Sequence, residues 1–308
     1  MVDAGSGPSS PWRYREVADR IVLPYLAHAR IRRLDALILS HADSDHSSGM
    51  AGILREVDVG QFIINNPPAQ DQAAAQAACV AARQRGIEPT VVRRGGVIRI
   101  DDDVVVSVLH PPTRWCENEA VSENNRSLVL HLTYGQVSFL LPGDIEADAE
   151  QELLHWARSQ GLSLRSSVLV LPHHGSNTSS TDALLDAVRP SLAVVCGARA
   201  QSRPAHSVVI ERLRRRGIPL VSTDMLGTVE LITDGTDLHW RSYHEPYSRE
   251  RASSSWQSTT AWRNCSAVVG SDHEIDRWVA ICAASRRARL ARTPGSSWSR
   301  LSSRRRAA

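Results

Sequence analysis

Short apolar runs recur along the first 245 residues, and turn residues or stretches of helical periodicity separate each run from the next. Brief runs rich in Val, Ile and Leu are typical of β-strands, whereas apolar residues at every third or fourth position are typical of amphipathic helices. The runs predict strands at 35–40, 61–65, 104–110, 127–132, 137–143, 167–172, 192–197 and 228–233. The helical patterns lie at 53–57, 72–84, 146–160, 182–188 and 207–216.

The alternation of these elements predicts an α/β (α+β) fold. The two runs around Tyr134, Gly135 and Gln136 predict a hairpin, so the sheets are expected to be mixed rather than purely parallel. After about residue 245 the pattern gives way to Ser, Arg, Ala and isolated Trp. We therefore expect one folded domain over residues 1–245 and a mostly disordered basic tail over 246–308.

Composition narrows the class of protein. The chain contains no Lys, so its 36 basic residues are all Arg, and the Arg clusters of the tail indicate nucleic-acid binding less strongly than usual. Its five Cys are scattered without a C-x-x-C spacing, which disfavours a disulfide framework or a thiolate zinc site. No apolar run approaches the roughly 18 residues of a membrane span, and no signal peptide is evident. The expectation for the chain as given is a cytoplasmic protein.

The strongest chemical signal is the segment SHADSDHSSG at 40–49, which directly follows the first predicted strand. It places His41, Asp43, Asp45 and His46 within six residues. A rigid strand can aim such side chains, and the loop after it lets them converge on a divalent cation. A solvated turn would also be rich in Asp and Ser, but it would rarely carry two His in this order.

Two further loops carry ligand-type residues after strands. Asp144 follows a buried run and a Gly; by itself it could also be a helix N-cap. His173 and His174 precede Gly175 at the end of another run, where packing alone would leave their ring nitrogens unsatisfied. The three loops together predict one metal-binding cleft at the carboxyl ends of the strands.

The series H-x-D-x-D-H, G-D and H-H-G-S resembles the metallo-β-lactamase superfamily, in particular the C-terminal hydrolase domain of the ComEC competence proteins. Other matching stretches are VDAG (2–5), VLHPP (108–112), NNRSLVLHL (124–132) and STDMLGTVEL (222–231). The resemblance covers about residues 1–245. It implies an αββα sandwich of two mixed sheets, here expected to lack the first N-terminal strands of the family domain.

The resemblance also implies the roles of the site residues. His41 and Asp43 would face one metal ion, Asp45 and His46 a second, Asp144 would bridge the two, and His173 or His174 would complete the second. The resemblance thus implies two divalent ions, Zn²⁺ or Mn²⁺, with Mg²⁺ a further candidate. Asp43 stands where the superfamily usually has a second His, and this exchange of a nitrogen for an oxygen ligand suits Mn²⁺ or Mg²⁺ as well as Zn²⁺. Further candidates are, for catalysis, Asp45, His174 and His206, and, for support of the ligands or substrate contacts, Asn125, Ser127 and Ser176.

The resemblance implies a metal-dependent hydrolase that cleaves phosphodiesters, with DNA as the substrate in competence-related uptake and a membrane channel as the partner in complete family proteins. Two alternatives remain open. The same ligands serve superfamily members that hydrolyse thioesters, lactones or lactams. A clipped domain could instead bind DNA or a channel without turnover, because missing strands would leave a sheet edge unpaired.

Overall fold

The computed structural model describes residues 1–5, 18–100, 104–196, 205–226 and 228–243, together with two short strands at 279–283 and 299–301. Within this part of the chain, no helix is both long enough and apolar enough to cross a bilayer.

In the part of the chain that the structure describes, sixteen strands belong to four sheets. Their bounds are β1 Arg33–Leu34, β2 Leu37–Leu39, β3 Asp58–Val59, β4 Phe62–Ile64, β5 Thr90–Val91, β6 Val97–Arg99, β7 Val104–His110, β8 Val129–Tyr134, β9 Val137–Leu141, β10 Val168–Val170, β11 Leu192–Val195, β12 Leu220–Ser222, β13 Thr228–Thr233, β14 Leu238–Tyr243, β15 Val279–Ala283 and β16 Ser299–Leu301.

The largest sheet has the order β12-β11-β10-β9-β8-β7-β6. Its β6 to β9 pair antiparallel, and β9 to β12 pair parallel, so this sheet is mixed, as expected. A three-stranded sheet, β2-β4-β5, is parallel, and Val2 adds a parallel bridge to Ile38 at its edge. The other two sheets have the orders β15-β13-β14-β16 and β1-β3.

The helices lie outside the sheets. They are α1 Leu23–His28, which follows a π-helical turn at Ala18–Val22, α2 Ser44–Ser47, α3 Met50–Glu56, α4 Ala73–Gln84, α5 Thr113–Cys116, α6 Ala147–Ser159, α7 Asp182–Val188, α8 Ser207–Arg215 and α9 Thr223–Leu226. Short 3₁₀ segments occupy Asn124–Arg126 and Pro172–Gly175.

Four apolar clusters define the layers. The cluster of α1, α3 and α4 covers one face of β2 and β4. A second cluster joins α6, α7 and α8 to the large sheet. Between the sheets, β2 and β4 pack on β6 to β8, and β13 and β14 pack on β9 to β12. Since an apolar sheet face must be buried against another layer, this αββα sandwich satisfies both faces of the large sheet.

The predicted elements agree closely with the observed ones. The predicted helix 182–188 matches α7, and the predicted strands 104–110 and 228–233 match β7 and β13 residue for residue. The predicted hairpin is also present, with Tyr134 paired to Val137. In the predicted tail, β15 and β16 are strands, and the remainder of 246–308 lies outside the described residues.

Candidate metal centre

The candidate site lies where strands of two sheets end. Ser40 and His41 follow β2, Asp144 follows β9, His174 follows β10, and Cys196 follows β11. Because β9, β10 and β11 are parallel, their carboxyl ends meet at one edge, where loops can converge. The structure thus brings together residues that are more than 100 positions apart in the sequence.

Asp3 holds the first metal-ligand turn. Its Oδ1 accepts a hydrogen bond from Ser40 N at 2.7 Å, and its Oδ2 accepts from Ser40 Oγ at 2.7 Å and from His46 Nδ1 at 2.9 Å. A carboxylate only accepts, so Nδ1 of His46 carries a proton, and Nε2 is the nitrogen that can bind a metal ion. Gly5 lies against the backbone of Asp45, where any side chain would collide with it.

The same carboxylate orients His41 through Ser40. The hydroxyl of Ser40 donates to Asp3 and lies 3.0 Å from His41 Nδ1. Because that hydroxyl has only one proton, His41 Nδ1 must donate to it, which leaves the lone pair of His41 on Nε2. One side chain, Asp3, therefore sets the tautomer of two histidines.

His174 is presented by strained backbone. His173 and His174 both have φ of 50°, and Gly175 follows at 74°. Left-handed geometry costs a non-glycine residue about 1–2 kcal/mol, and such strain is concentrated at functional sites. His174 Nδ1 donates to the carbonyl of Cys196 at 3.0 Å, so Nε2 is the nitrogen left to face the carboxylates of Asp45 and Asp144.

Four side chains then form one group. Ligand atoms of Asp45, His46, Asp144 and His174 all lie within 4.8 Å of one another. Nε2 of His46 is 3.2 Å from Asp144 Oδ1, and Nε2 of His174 is 3.5 Å from Asp144 Oδ2 and 3.4 Å from Asp45 Oδ2. Asp144 thus stands between the two imidazoles.

His41 and Asp43 lie beside this group. The His41 and His46 ring centroids are 4.1 Å apart, and His41 Nε2 is 3.6 Å from Asp43 Oδ2. His41 is completely buried, whereas 44% of the Asp43 side chain is exposed. His41 and Asp43 thus offer a metal ion fewer protein ligands than the four-residue group does.

The carboxylates give the site a strongly negative electrostatic potential. The hydrogen bond from His174 holds the pKa of Asp45 at about 2. Burial alone would lower the pKa of His46, but the carboxylates of Asp3 and Asp144 raise it well above its ordinary value. Burial raises the pKa of Asp144, yet its contact with His46 outweighs burial and lowers it. The potential that favours protons on these imidazoles also favours a metal cation.

The donor set fits divalent metal ions. Nε2 of His41 is buried and has no hydrogen-bond partner among the described residues, and Nε2 of His46, also buried, lies against the Asp144 carboxylate. Leaving the His41 atom unpaired costs about 1–3 kcal/mol, and coordination to a metal ion would remove that cost. Imidazole nitrogens mixed with carboxylate oxygens suit Zn²⁺ and Mn²⁺.

Asn125 and Ser127 support the loop of Asp144. Ser127 Oγ accepts from Asp144 N at 3.0 Å, and Asn125 Oδ1 accepts from Glu146 N at 2.8 Å. Gly143 adopts a φ of 59°, and a Cβ there would lie only 2.8 Å from that of Ser127. These contacts fix the direction in which Asp144 points.

A buried polar cluster supports Asn125 in turn. His110 Nε2 donates to the carbonyl of Asn125 at 2.9 Å. On its other side, His110 Nδ1 lies 3.4 Å from an Arg94 nitrogen and 3.6 Å from Glu152, which also pairs with Arg94 and Arg114. Burial raises the pKa of Glu152, but the contacts with His110 and Arg94 outweigh it and lower the pKa to about 2.

This cluster predicts a pH dependence of stability. Because the folded-state pKa of Glu152 lies below its ordinary value of 4.5, its contribution is present above pH 4.5 and is lost as the pH falls towards 2. After a discount for screening by solvent, we expect about 1–2 kcal/mol. Urea unfolding between pH 3 and pH 7 should show a larger loss at low pH for the wild type than for Glu152→Gln. Parallel curves for the two proteins would contradict this assignment.

Three predicted site residues lie apart from the four-residue group. His173 Nδ1 contacts Glu146 and Thr178, each at 3.3 Å, and its ring centroid is 6.5 Å from that of His174. His206 accepts from Val208 N through Nδ1 and so caps α8. Ser176 Oγ lies 3.0 Å from Thr178 Oγ1.

The roles of three other residues were not assigned from the sequence. Asp3 lies in the matching stretch VDAG, and this match is its only sequence signal, because its partners Ser40 and His46 are about 40 positions away. Ser40 directly precedes His41, but nothing local indicates its contact with Asp3. Glu123, whose Oε1 accepts from Ala42 N at 3.0 Å, carries no recognisable sequence signal.

Comparisons with known proteins give matches that include the part of the chain holding this site. A profile of the metallo-β-lactamase superfamily matches residues 1–199. The ComE operon protein 3 of Bacillus subtilis is 31% identical over 241 residues, which cover 75% of this chain and 29% of that protein. The competence protein ComA of Neisseria gonorrhoeae is 33% identical over 211 residues, or 68% of this chain and 27% of that protein.

A third relative is recombination protein 2 of Haemophilus influenzae, 31% identical over 235 residues, or 75% of this chain and 26% of that protein. The chain spans less than a third of the length of these relatives. The resemblance predicted from the motif series is thus confirmed. On the match to its profile, the chain belongs to the metallo-β-lactamase superfamily.

Proposed function

We propose that this chain is a metal-dependent phosphodiesterase that cleaves DNA. Membership of the superfamily implies a metal-dependent hydrolase. The observation that carries the proposal is the shared orientation of three imidazoles: His41, His46 and His174 are each held at Nδ1 and present Nε2 towards carboxylates. DNA as the substrate is supported by the resemblance to ComEC proteins and by relatives named for competence and recombination.

Two divalent ions are proposed, with unequal protein ligation. Asp45, His46, Asp144 and His174 would hold one ion, and His41 with Asp43 would hold the other, with Asp144 shared. When bound, such ions orient the phosphodiester, make water a stronger nucleophile near neutral pH and stabilise the leaving oxygen. The ion held by His41 and Asp43 would have fewer protein ligands, so more of its coordination positions would be available to substrate oxygens.

The surrounding residues supply orientation and protons. Ser40, Asp3 and the Cys196 carbonyl hold Nδ1 of His41, His46 and His174, so the three rings are already oriented for the ions. His173 does not belong to the four-residue group, and its Nδ1 contacts Glu146 and Thr178. We assign it as the proton donor to the leaving oxygen, a role that contributes about 10²–10⁴-fold in enzymes.

The direct test is cleavage of single- and double-stranded DNA with Mn²⁺, Zn²⁺ or Mg²⁺ by purified protein. We expect metal-dependent cutting that Asp45→Ala and His46→Ala both abolish, with Asp148→Ala, an exposed carboxylate on α6, as the matched control. A folded, metal-loaded protein that cuts no DNA but hydrolyses thioesters or lactones would replace the proposal with a small-molecule hydrolase. A protein that binds DNA without cutting it would indicate a non-catalytic module.

A further inference from the structure

A cleft of about 350 Å³ opens beside the metal-ligand turn. It is lined by Ala42, Asp43 and Ser44 of that turn and by residues 71–74 at the start of α4. Glu123 also lines it. Nothing in the proposed metal ligation uses this space except the carboxylate of Asp43.

The cleft adjoins the metal centre through Asp43. This side chain lines the cleft, and its Oδ2 lies 3.6 Å from Nε2 of His41. That nitrogen is completely buried and has no hydrogen-bond partner among the described residues. A molecule held in the cleft would therefore be a neighbour of whatever the metal ions bind, and the two groups can belong to one substrate.

The charges of the cleft disfavour a phosphate group. Three lining residues are carboxylates, Asp43, Asp71 and Glu123, and no lining residue is cationic. The N-terminus of α4 offers only about half a positive charge. If Glu123 is discounted because its Oε2 lies 3.6 Å from an Arg126 nitrogen, and Asp43 because it would ligate a metal ion, the carboxylate of Asp71 remains with no lining cation to offset it. The cleft favours groups that donate hydrogen bonds.

Size and shape restrict the occupant further. The volume lies near the lower limit of about 300 Å³ for small-molecule pockets. Three of its lining residues are alanines, Ala42, Ala73 and Ala74, and none is aromatic. A flat ring with amino and hydroxyl donors fits such a space, whereas a stacked base pair within a duplex does not.

We propose that this cleft binds one unpaired nucleoside next to the phosphodiester that the metal ions hold. Hydrogen-bond donors of the base and sugar would face Asp71 and the Ser44 side of the cleft. The inference rests on the proposed function, and it makes single-stranded DNA the preferred substrate. Unpaired bases at a duplex end would also have access.

The binding test uses Ala73→Trp, which places a large ring at the mouth of the cleft from an exposed helix position. Val80→Trp, at an exposed position on the same helix, is the matched control for folding and surface chemistry. Titration calorimetry with Mn²⁺-loaded protein would compare deoxycytidine 5′-monophosphate with methyl phosphate. We expect the affinity for deoxycytidine 5′-monophosphate, relative to that for methyl phosphate, to fall about tenfold in Ala73→Trp and to be unchanged in Val80→Trp. An unchanged ratio in both variants would overturn the proposal, as would a wild type that prefers neither ligand.

The activity test distinguishes an effect on nucleoside binding in the cleft from an effect on phosphodiester hydrolysis. We expect Ala73→Trp to raise KM for a single-stranded oligonucleotide about tenfold more than KM for bis(p-nitrophenyl) phosphate, which has no nucleoside. Equal effects on both substrates would overturn the cleft assignment. If the wild type hydrolyses neither substrate but still shows the binding ratio above, the nuclease function fails and the nucleoside cleft stands.

Discussion

Replacement of His174 with alanine should abolish metal-dependent cleavage, whereas replacement of its neighbour His173 should leave metal binding intact. Nε2 of His174 lies 3.4 Å from Asp45 and 3.5 Å from Asp144, and His173 instead contacts Glu146 and Thr178. Loss of one ligand of the four-residue group removes several kcal/mol of metal stabilisation, so we expect kcat/KM to fall by about three orders of magnitude.

The measurement is metal content after dialysis at limiting Mn²⁺ or Zn²⁺, alongside kcat/KM. His173→Ala is the matched control, because it removes an adjacent imidazole from the same strained turn. We expect it to keep the metal content of the wild type while losing activity through its proposed proton transfer. Equal metal loss in both variants would show that the turn, rather than His174 alone, determines metal binding. Circular dichroism verifies that both variants are folded.

Asp3→Ala is expected to weaken metal binding by about 10- to 100-fold although Asp3 itself is not proposed to touch the metal. The carboxylate fixes His46 directly and His41 through Ser40. Without it, both imidazoles can rotate or change tautomer, and the negative charge that favours a cation beside His46 is lost. Competition with a metal-binding dye would measure the affinity of each ion.

Ser40→Ala separates the two effects of Asp3. It removes the link to His41 but keeps the hydrogen bond between Asp3 and His46, so we expect it to weaken only the ion held by His41 and Asp43. Asp3→Asn retains an acceptor for Ser40 N while losing the charge, and it should fall between the alanine variant and the wild type. If Asp3→Ala binds metal as tightly as the wild type, Asp3 does not orient the ligands.

Much of the fold follows from local sequence patterns. The runs at 104–110 and 228–233 become β7 and β13 because apolar, β-branched residues favour extended backbone buried between layers. The pattern was less informative for short edge elements: β5 has two exposed residues, and no apolar run marks it. A strand is marked by a run of apolar residues because those residues are buried, so a strand with exposed residues has little apolar pattern from which to predict it.

For the candidate site too, some features follow from the local sequence and others only from the tertiary structure. The residue types of the ligand loops are local, because His41 to His46 lie within six positions, and the sequence alone predicted a metal site there. The choice between His173 and His174 is not local, since it depends on left-handed backbone at both residues and on the distant Cys196 carbonyl. The capping of α8 by His206 likewise became visible only with the backbone in place.

The amino-acid sequence by itself determined the α/β class, the order of the elements, the superfamily and the ligand-type residues after three strands. These properties depend on neighbours along the chain or on the order of motifs. Only the tertiary structure decided which imidazole faces Asp144, that Asp3 holds two histidines, and that a carboxylate-lined cleft opens beside Asp43. Those properties depend on contacts between residues that are about 30 to more than 100 positions apart, and the packing of two sheets, rather than any local pattern, brings them together.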